Sequence, residues 1–249
     1  MLFPQQQKIC AQIDHIFDVF TKSDSGIRPH FHLTGPSGSG KSFLVSQRAR
    51  LQNIPIIEVN AAQLTAEGLS GNSLSKALRP LRNHWNQPNV IFVDEFDKLF
   101  QRNGETTEGF RSMVQDEFLT ALESKNTTIF TDYGKYEPIR IDNTLFIFAG
   151  AYSNQRITTI GELRDAGLRT EFVGRVPLVF STEEVPLAEL KKYLKQVALF
   201  GEYLKIYPNT DQREAVHNIC ELLSEQQKDT PIGIRLLNSC IHQHFMKNV

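Results

Sequence analysis

The chain has 249 residues, a formal net charge of −1 and 40% hydrophobic residues. That is enough apolar material for one large domain, or a large domain with a small one. The charge weighs against a general nucleic-acid or membrane-surface binder, which carries a basic excess. Cys10, Cys220 and Cys240 are odd in number, scattered and without metal-ligand spacing, the pattern of thiols in a reducing compartment. No apolar run approaches a membrane span, and the opening Met1-Leu2-Phe3-Pro4-Gln5-Gln6-Gln7 has no signal-peptide pattern. A cytoplasmic protein with no membrane partner is the expectation.

Ile9, Ile13, Ile16, Phe17 and Phe20 recur at helical spacing and predict a helix over 7–20. A loop follows at 22–26. Pro29-His30-Phe31-His32-Leu33-Thr34 alternates and is rich in strand formers. A glycine- and serine-rich stretch comes next, and a helix over 42–50. Further strands are expected at 54–59, 89–94, 144–149 and 176–180, the third of the five being an apolar run typical of a buried parallel sheet and the fourth a central strand. Helices are expected at 73–81 and 107–123, a turn at Asn103-Gly104, and a small hairpin from 127–131 and 138–141 around Asp132-Tyr133-Gly134-Lys135. Strands alternating with helices imply an α/β three-layer sandwich on a five-stranded parallel sheet. After Phe180 the pattern is helical only. Leu187, Leu190, Leu194, Val197 and Leu204 stripe one helix, Ala215, Val216, Ile219, Leu222 and Leu223 a second, and Thr230-Pro231 starts a third as cap and first turn. The domains expected are 1–181, α/β, and 182–249, all-α.

The chemistry lies in Gly35-Pro36-Ser37-Gly38-Ser39-Gly40-Lys41-Ser42, which fits G-x-x-x-x-G-K-[ST] at every fixed position between a strand and a helix. The glycines let successive backbone N–H groups point inward at phosphate oxygens. Lys41 supplies a point charge for the β/γ-phosphates and Ser42 a hydroxyl for Mg²⁺. The helix N-terminus behind them favours an anion. The ligand expected is ATP with Mg²⁺. About fifty residues on, the third strand ends in Asp94-Glu95. Asp94 is placed to touch the metal or orient its water, and Glu95 to polarise the attacking water as general base. Other phosphate-loop classes fit less well. There is no Asn-Lys-x-Asp guanine reader, Leu69-Ser70-Gly71-Asn72-Ser73 only echoes a transporter signature, and no arginine-rich lid is found. His30 and His32, and His242 and His244, read as structural residues, since neither pair has a third ligand in view.

Several stretches resemble, in order, the AAA+ ATPases of the ClpX and HslU branch. Besides the phosphate loop, Val93-Asp94-Glu95-Phe96-Asp97-Lys98-Leu99 is similar to Ile-Asp-Glu-Ile-Asp-Lys-Ile. The strand ending Ala149-Gly150-Ala151-Tyr152 is similar to one ending Gly-Gly-Ala-Phe. Glu171-Phe172-Val173-Gly174-Arg175-Val176-Pro177 is similar to Glu-Phe-Ile-Gly-Arg-Leu-Pro, and Gly233-Ile234-Arg235 to Gly-Ala-Arg. The resemblance covers about 28–240. It implies that Arg175 is an arginine finger entering the neighbouring subunit's site, and that Arg235 reaches the γ-phosphate of its own subunit. It also implies a homo-oligomeric ring, usually a hexamer.

The departures carry weight too. Gly68-Leu69-Ser70-Gly71 stands where the branch has Gly-Tyr-Val-Gly, so the substrate-gripping aromatic is replaced by Leu69. Lys135-Tyr136 matches a second, basic pore loop only loosely. The 152–167 segment holds no Ile-Gly-Phe tripeptide, the nearest being Ile160-Gly161-Glu162, so docking to the ClpP protease is not expected. No cysteine cluster precedes the core, so a zinc-binding N-terminal domain is not expected either. At the end of the fourth strand Ala149 and Gly150 stand where many AAA+ proteins have a polar sensor. The expected function is an ATPase that remodels or unfolds a protein partner of unnamed identity. The alternative is a nucleotide-switched assembly or loader ATPase, of the kind found in phage, plasmid or defence systems, that recruits protein or nucleic-acid partners without threading them. The net charge does not indicate nucleic acid.

Overall fold

The computed structural model describes residues 3–68, 71–99, 105–131, 134–229 and 232–247. The chain divides into two interleaved compact units: Lys8–Gly35 with Lys41–Thr182, and Met1–Gln7 with Pro36–Gly40 and Glu183–Val249.

The first unit is α/β. Helix α1 (Gln7–Lys22) buries Ile9, Cys10, Ile13, Ile16, Phe17 and Phe20, the face predicted from their spacing. Then come β1 (Phe31–Thr34), α2 (Lys41–Leu51), β2 (Ile56–Asn60), α3 (Leu74–Ala77), β3 (Asn89–Asp94) and α4 (Glu105–Glu123). A two-stranded antiparallel hairpin, β4 (Asn126–Phe130) and β5 (Tyr136–Arg140), leads to β6 (Thr144–Gly150), α5 (Ile160–Asp165), α6 (Thr170–Arg175) and β7 (Leu178–Ser181). Five strands form one sheet in the order β2-β3-β6-β1-β7, every pairing parallel. The central strands are apolar because helices cover both faces: all seven residues of β6 are buried, and five of the six in β3.

Strand boundaries move from expectation where proline intervenes. β2 starts at Ile56, after Pro55, which has no N–H to donate but whose carbonyl accepts from Val90 N at 2.8 Å. β7 starts after Pro177, because Val176 is still the C-cap of α6. The expected turn at Asn103-Gly104 and the hairpin-tip residues Asp132 and Tyr133 lie outside the described residues.

The second unit contributes α7 (Leu187–Tyr193), α8 (Ala198–Ile206), α9 (Gln212–Gln226) and α10 (Ile234–Met246). The single helix expected over the 187–204 stripe is in fact two. A 3₁₀ turn at Leu194–Gln196 and an extended Val197 (φ −72°, ψ 122°) separate α7 from α8. The break keeps the apolar face intact: Leu190, Leu194, Val197 and Phe200 are all buried, because three-per-turn winding keeps i and i+3 eclipsed. Phe200, rather than Leu204, is the fully covered side chain of α8. Thr230 and Pro231, expected to open the last helix, lie outside the described residues; α10 starts after Gly233, whose φ is 56°.

Two histidines sit in the sheet core. His30 Nδ1 accepts from Phe146 N at 3.0 Å, which fixes a neutral imidazole. His32 lies beside the rings of Phe96 and Phe148, and neither of its nitrogens has a hydrogen-bond partner. Both imidazoles are pushed down to about 3, His32 by burial and His30 by burial together with the charge of Arg28. The unfolded chain therefore takes up these protons first, near pH 6.5, and stability falls as pH drops from there toward 3. Each histidine should cost about 1.4 kcal/mol between about pH 7.5 and about pH 5.5 in urea denaturation, and His32→Phe should remove its share of that loss.

Candidate active site

In a parallel sheet every strand's carboxyl end faces one edge, and loops at that edge meet. At the end of β1, Thr182 N and Oγ1 donate to Thr34 O at 2.9 and 3.0 Å. Gly35 follows at φ 131°, and a Cβ there would come within 2.1 Å of Thr182 Oγ1. Both the backbone conformation and the crowding exclude a side chain. Gly38 and Gly40 also have positive φ, 76° and 90°, and α2 opens at Lys41.

The Lys41 side chain is buried, and its Nζ donates to Gly35 O at 2.7 Å. Ser42 Oγ donates to Asp94 Oδ2 at 3.0 Å, joining the start of α2 to the end of β3. The other Asp94 oxygen, Oδ1, accepts from Glu95 N at 2.9 Å. Glu95 is exposed and has φ 55°, uncommon for a residue with a side chain and typical of strain held at functional sites. Lys41, Ser42, Asp94 and Glu95 are thus brought to one place in the α/β unit. The donor set is hard and oxygen-rich beside an ammonium, the chemistry that suits a phosphate chain with a small divalent cation.

In the second unit, which includes residues 36–40, Arg235 Nη1 donates to Ser37 Oγ at 3.2 Å. A Cβ on Gly38 would lie 1.9 Å from Ile232 O, and one on Gly233 would lie 2.6 Å from Gly38 O. Arg235 is therefore placed against the Ser37 hydroxyl, beside the close approach of Gly38 to 232–233. Arg175 is not joined to the Lys41–Ser42–Asp94 group. It ends α6, its Nη1 donates to Glu171 O at 2.6 Å, and its Nη2 pairs with the Glu123 carboxylate.

Other features were not legible from the motifs. Asp97 is buried, and its carboxylate accepts from Ala151 N at 3.3 Å and Tyr152 N at 3.1 Å. The clamp holds a turn in which Tyr152, Ser153 and Asn154 all have positive φ, 48°, 55° and 61°. A Cβ on Gly150 would lie 2.8 Å from Asp97 Oδ1, which explains why the end of β6 carries no side chain there. The residues that could have signalled the clamp were in view, since Asp97 follows Glu95 by two; its backbone N–H donors are more than fifty positions away. Leu69 and Ser70 lie outside the described residues. Two positions earlier in sequence, Glu67 N donates to Glu117 Oε1 at 2.8 Å, and Tyr136 Oη donates to Glu67 Oε1 at 2.5 Å. Ile160-Gly161-Glu162 opens α5, and Glu162 is engaged in a capping box: Thr159 N donates to Glu162 Oε2, and Glu162 N to Thr159 Oγ1. The backbone N–H groups of Thr158 and Thr159, both donating to it, hold its carboxyl below the usual range. No group of three or more His, Cys, Asp and Glu capable of holding a metal occurs among the described residues, and none of their helices is long and apolar enough to cross a membrane.

A five-stranded parallel sheet that brings Lys41 and Ser42 to an Asp-Glu strand end is the frame of an ATPase. The family model for the ATPase family associated with various cellular activities (AAA) matches residues 31–165, and the chain belongs to that family. Among curated relatives it is 30% identical, over 86% of its length, to the ATP-dependent Clp protease ATP-binding subunit ClpX 2 of Wolinella succinogenes. It is 26% identical, over 70% of its length, to the ATP-dependent Clp protease ATP-binding subunit ClpX of Azotobacter vinelandii. The match spans 64% of the first relative and 51% of the second. The chain is accordingly a ClpX-like AAA+ ATPase.

Gly35→Ala tests the crowding at the loop's entry. It should lower stability by about 1–3 kcal/mol in urea denaturation, and an unchanged midpoint would contradict the geometry at Thr182.

Proposed function

We propose that the chain binds ATP with Mg²⁺ at residues 35–42 and Asp94, hydrolyses it in a homo-oligomeric ring, and uses the cycle to remodel or unfold a protein partner. The observation that carries the reading is the convergence of Lys41, Ser42, Asp94 and Glu95. Lys41 is set at the loop carbonyl to take the β/γ-phosphates, and Ser42 with Asp94 would hold the metal. Bound there, the cation would neutralise charge developing on the phosphate oxygens. Glu95, exposed at the strand end and held by the Asp94 contact, is the group assigned to orient and deprotonate the attacking water. Arg235, beside Ser37, is assigned to the γ-phosphate of its own protomer. Arg175, bonded to groups away from this cluster, is assigned to a neighbouring protomer's site, where a guanidinium offsets transition-state charge. Support for the protein-remodelling role comes from the ClpX relatives. Glu162's engagement in a cap fits a chain that does not dock ClpP through this segment.

The second reading, a nucleotide-switched assembly or loader ATPase, is favoured by one feature, the leucine at position 69 in place of an aromatic. ATP-dependent loss of fluorescence from a tagged folded substrate separates the two, since only a threading enzyme produces it.

Hydrolysis per protomer should rise cooperatively with protein concentration and fall at least about a hundredfold in Arg175→Ala. Glu95→Gln should retain ATP binding while losing turnover to a similar degree, about a hundredfold. A specific rate independent of concentration and indifferent to Arg175→Ala would refute the shared site.

A further inference from the structure

The two arginines that bracket α6 are treated differently by the protomer. Arg169, at its N-cap, places Nη1 2.5 Å from Asp116 Oδ1 and Nη2 3.4 Å from Glu171 Oε1, so two carboxylates take its charge. Arg175, the last residue of the helix, has one carboxylate, Glu123, and one carbonyl, Glu171 O. Its Nε is enclosed and has no hydrogen-bond partner. Asp116 and Glu123 are seven apart on α4, nearly two full turns, and so share one face. One α4 face therefore meets both ends of α6.

Glu123 is also misplaced from the viewpoint of its own helix. It is the last residue of α4, where the macrodipole's negative end disfavours a carboxylate. Local helix stability does not account for it; the guanidinium opposite does.

We propose that Glu123 is a positioning residue for Arg175: its carboxylate and the Glu171 carbonyl fix the guanidinium plane at the protomer surface, ready for a phosphate presented by the next protomer. The inference rests on the reading of Arg175 as the group that completes a neighbouring site. A free arginine side chain has large rotamer entropy, and ordering it beforehand lowers the cost of reaching the transition state. The fork geometry allows this, because each Nη carries a second N–H that its anchored contact leaves for a third acceptor. Arg169, with carboxylates on both sides, is built as a bolt between helices.

The test is steady-state ATP hydrolysis by the full chain at a concentration where the wild type is assembled, with light scattering and thermal unfolding run in parallel. Glu123→Ala should lower kcat about tenfold and leave KM for ATP within about twofold. Glu123→Gln, which still offers an oxygen to the guanidinium, should restore most of the rate. Asp116→Ala, which removes the other α4–α6 ion pair, should keep a rate near wild type. In an Arg175→Ala background, Glu123→Ala should change nothing further, because it acts through Arg175. A higher rate in Glu123→Ala would make Glu123 a guard and overturn the proposal. So would an unchanged rate, an equal loss in both backgrounds, or loss of assembly. If Arg175→Ala loses activity while Glu123→Ala is silent, only the positioning role falls. If Arg175→Ala itself hydrolyses at the wild-type rate, the shared-site reading falls and the positioning role with it.

Discussion

The hydrogen bond from Ser42 to Asp94 is the contact on which the site's layout depends. It joins residues 52 positions apart, the first turn of α2 and the last residue of β3. It can form only if β1 and β3 run the same way and end at the same edge, with β6 between them. The parallel order is in turn set by the apolar β3 and β6, which can be solvated on neither face. Hydrophobic burial, which is non-directional, thus fixes a polar contact that is directional.

Around that contact the chain accepts conformations that L-residues rarely adopt. Gly35 is pressed against Thr182, Glu95 sits at φ 55°, and Tyr152, Ser153 and Asn154 form a left-handed turn beyond β6. Each non-glycine case costs about 1–3 kcal/mol and persists only where neighbours over-determine it. For the turn, the neighbour is the buried Asp97 carboxylate, which takes two backbone N–H groups. Glu95 and the 152–154 turn place part of that strain beyond the ends of β3 and β6, while Asp24, Ser25 and Asn53 carry positive φ in loops before β1 and β2.

Much of this was legible in the residues because the signals are local. The phosphate loop, the Asp-Glu strand end, the apolar runs of β3 and β6 and the heptad-like face of α1 each fit within one element. What was not legible depends on distance in sequence. The 187–204 stripe satisfies a helical period whether or not the helix is continuous, so the 3₁₀ break at Leu194–Gln196 left no mark in the pattern. The Asp97 clamp and the Glu123 pairing with Arg175 both join groups more than fifty positions apart. Glu123 in particular reads as an ordinary exposed acid until α6 is packed beside it. Glu162 shows the converse: a residue that looked like a departure from a docking motif is explained by a capping box three residues wide.

The central claim is that Ser42 and Asp94 form a magnesium-dependent triphosphate site with Lys41. Calorimetric titration of ATP into the full chain, with Mg²⁺ and again with EDTA, tests it most directly when the wild type and Ser42→Ala are compared. The account predicts that wild-type affinity drops at least about tenfold on removing Mg²⁺, and that Ser42→Ala binds weakly with little difference between the two conditions. Equal affinity for ATP with and without the metal in the wild type would contradict it.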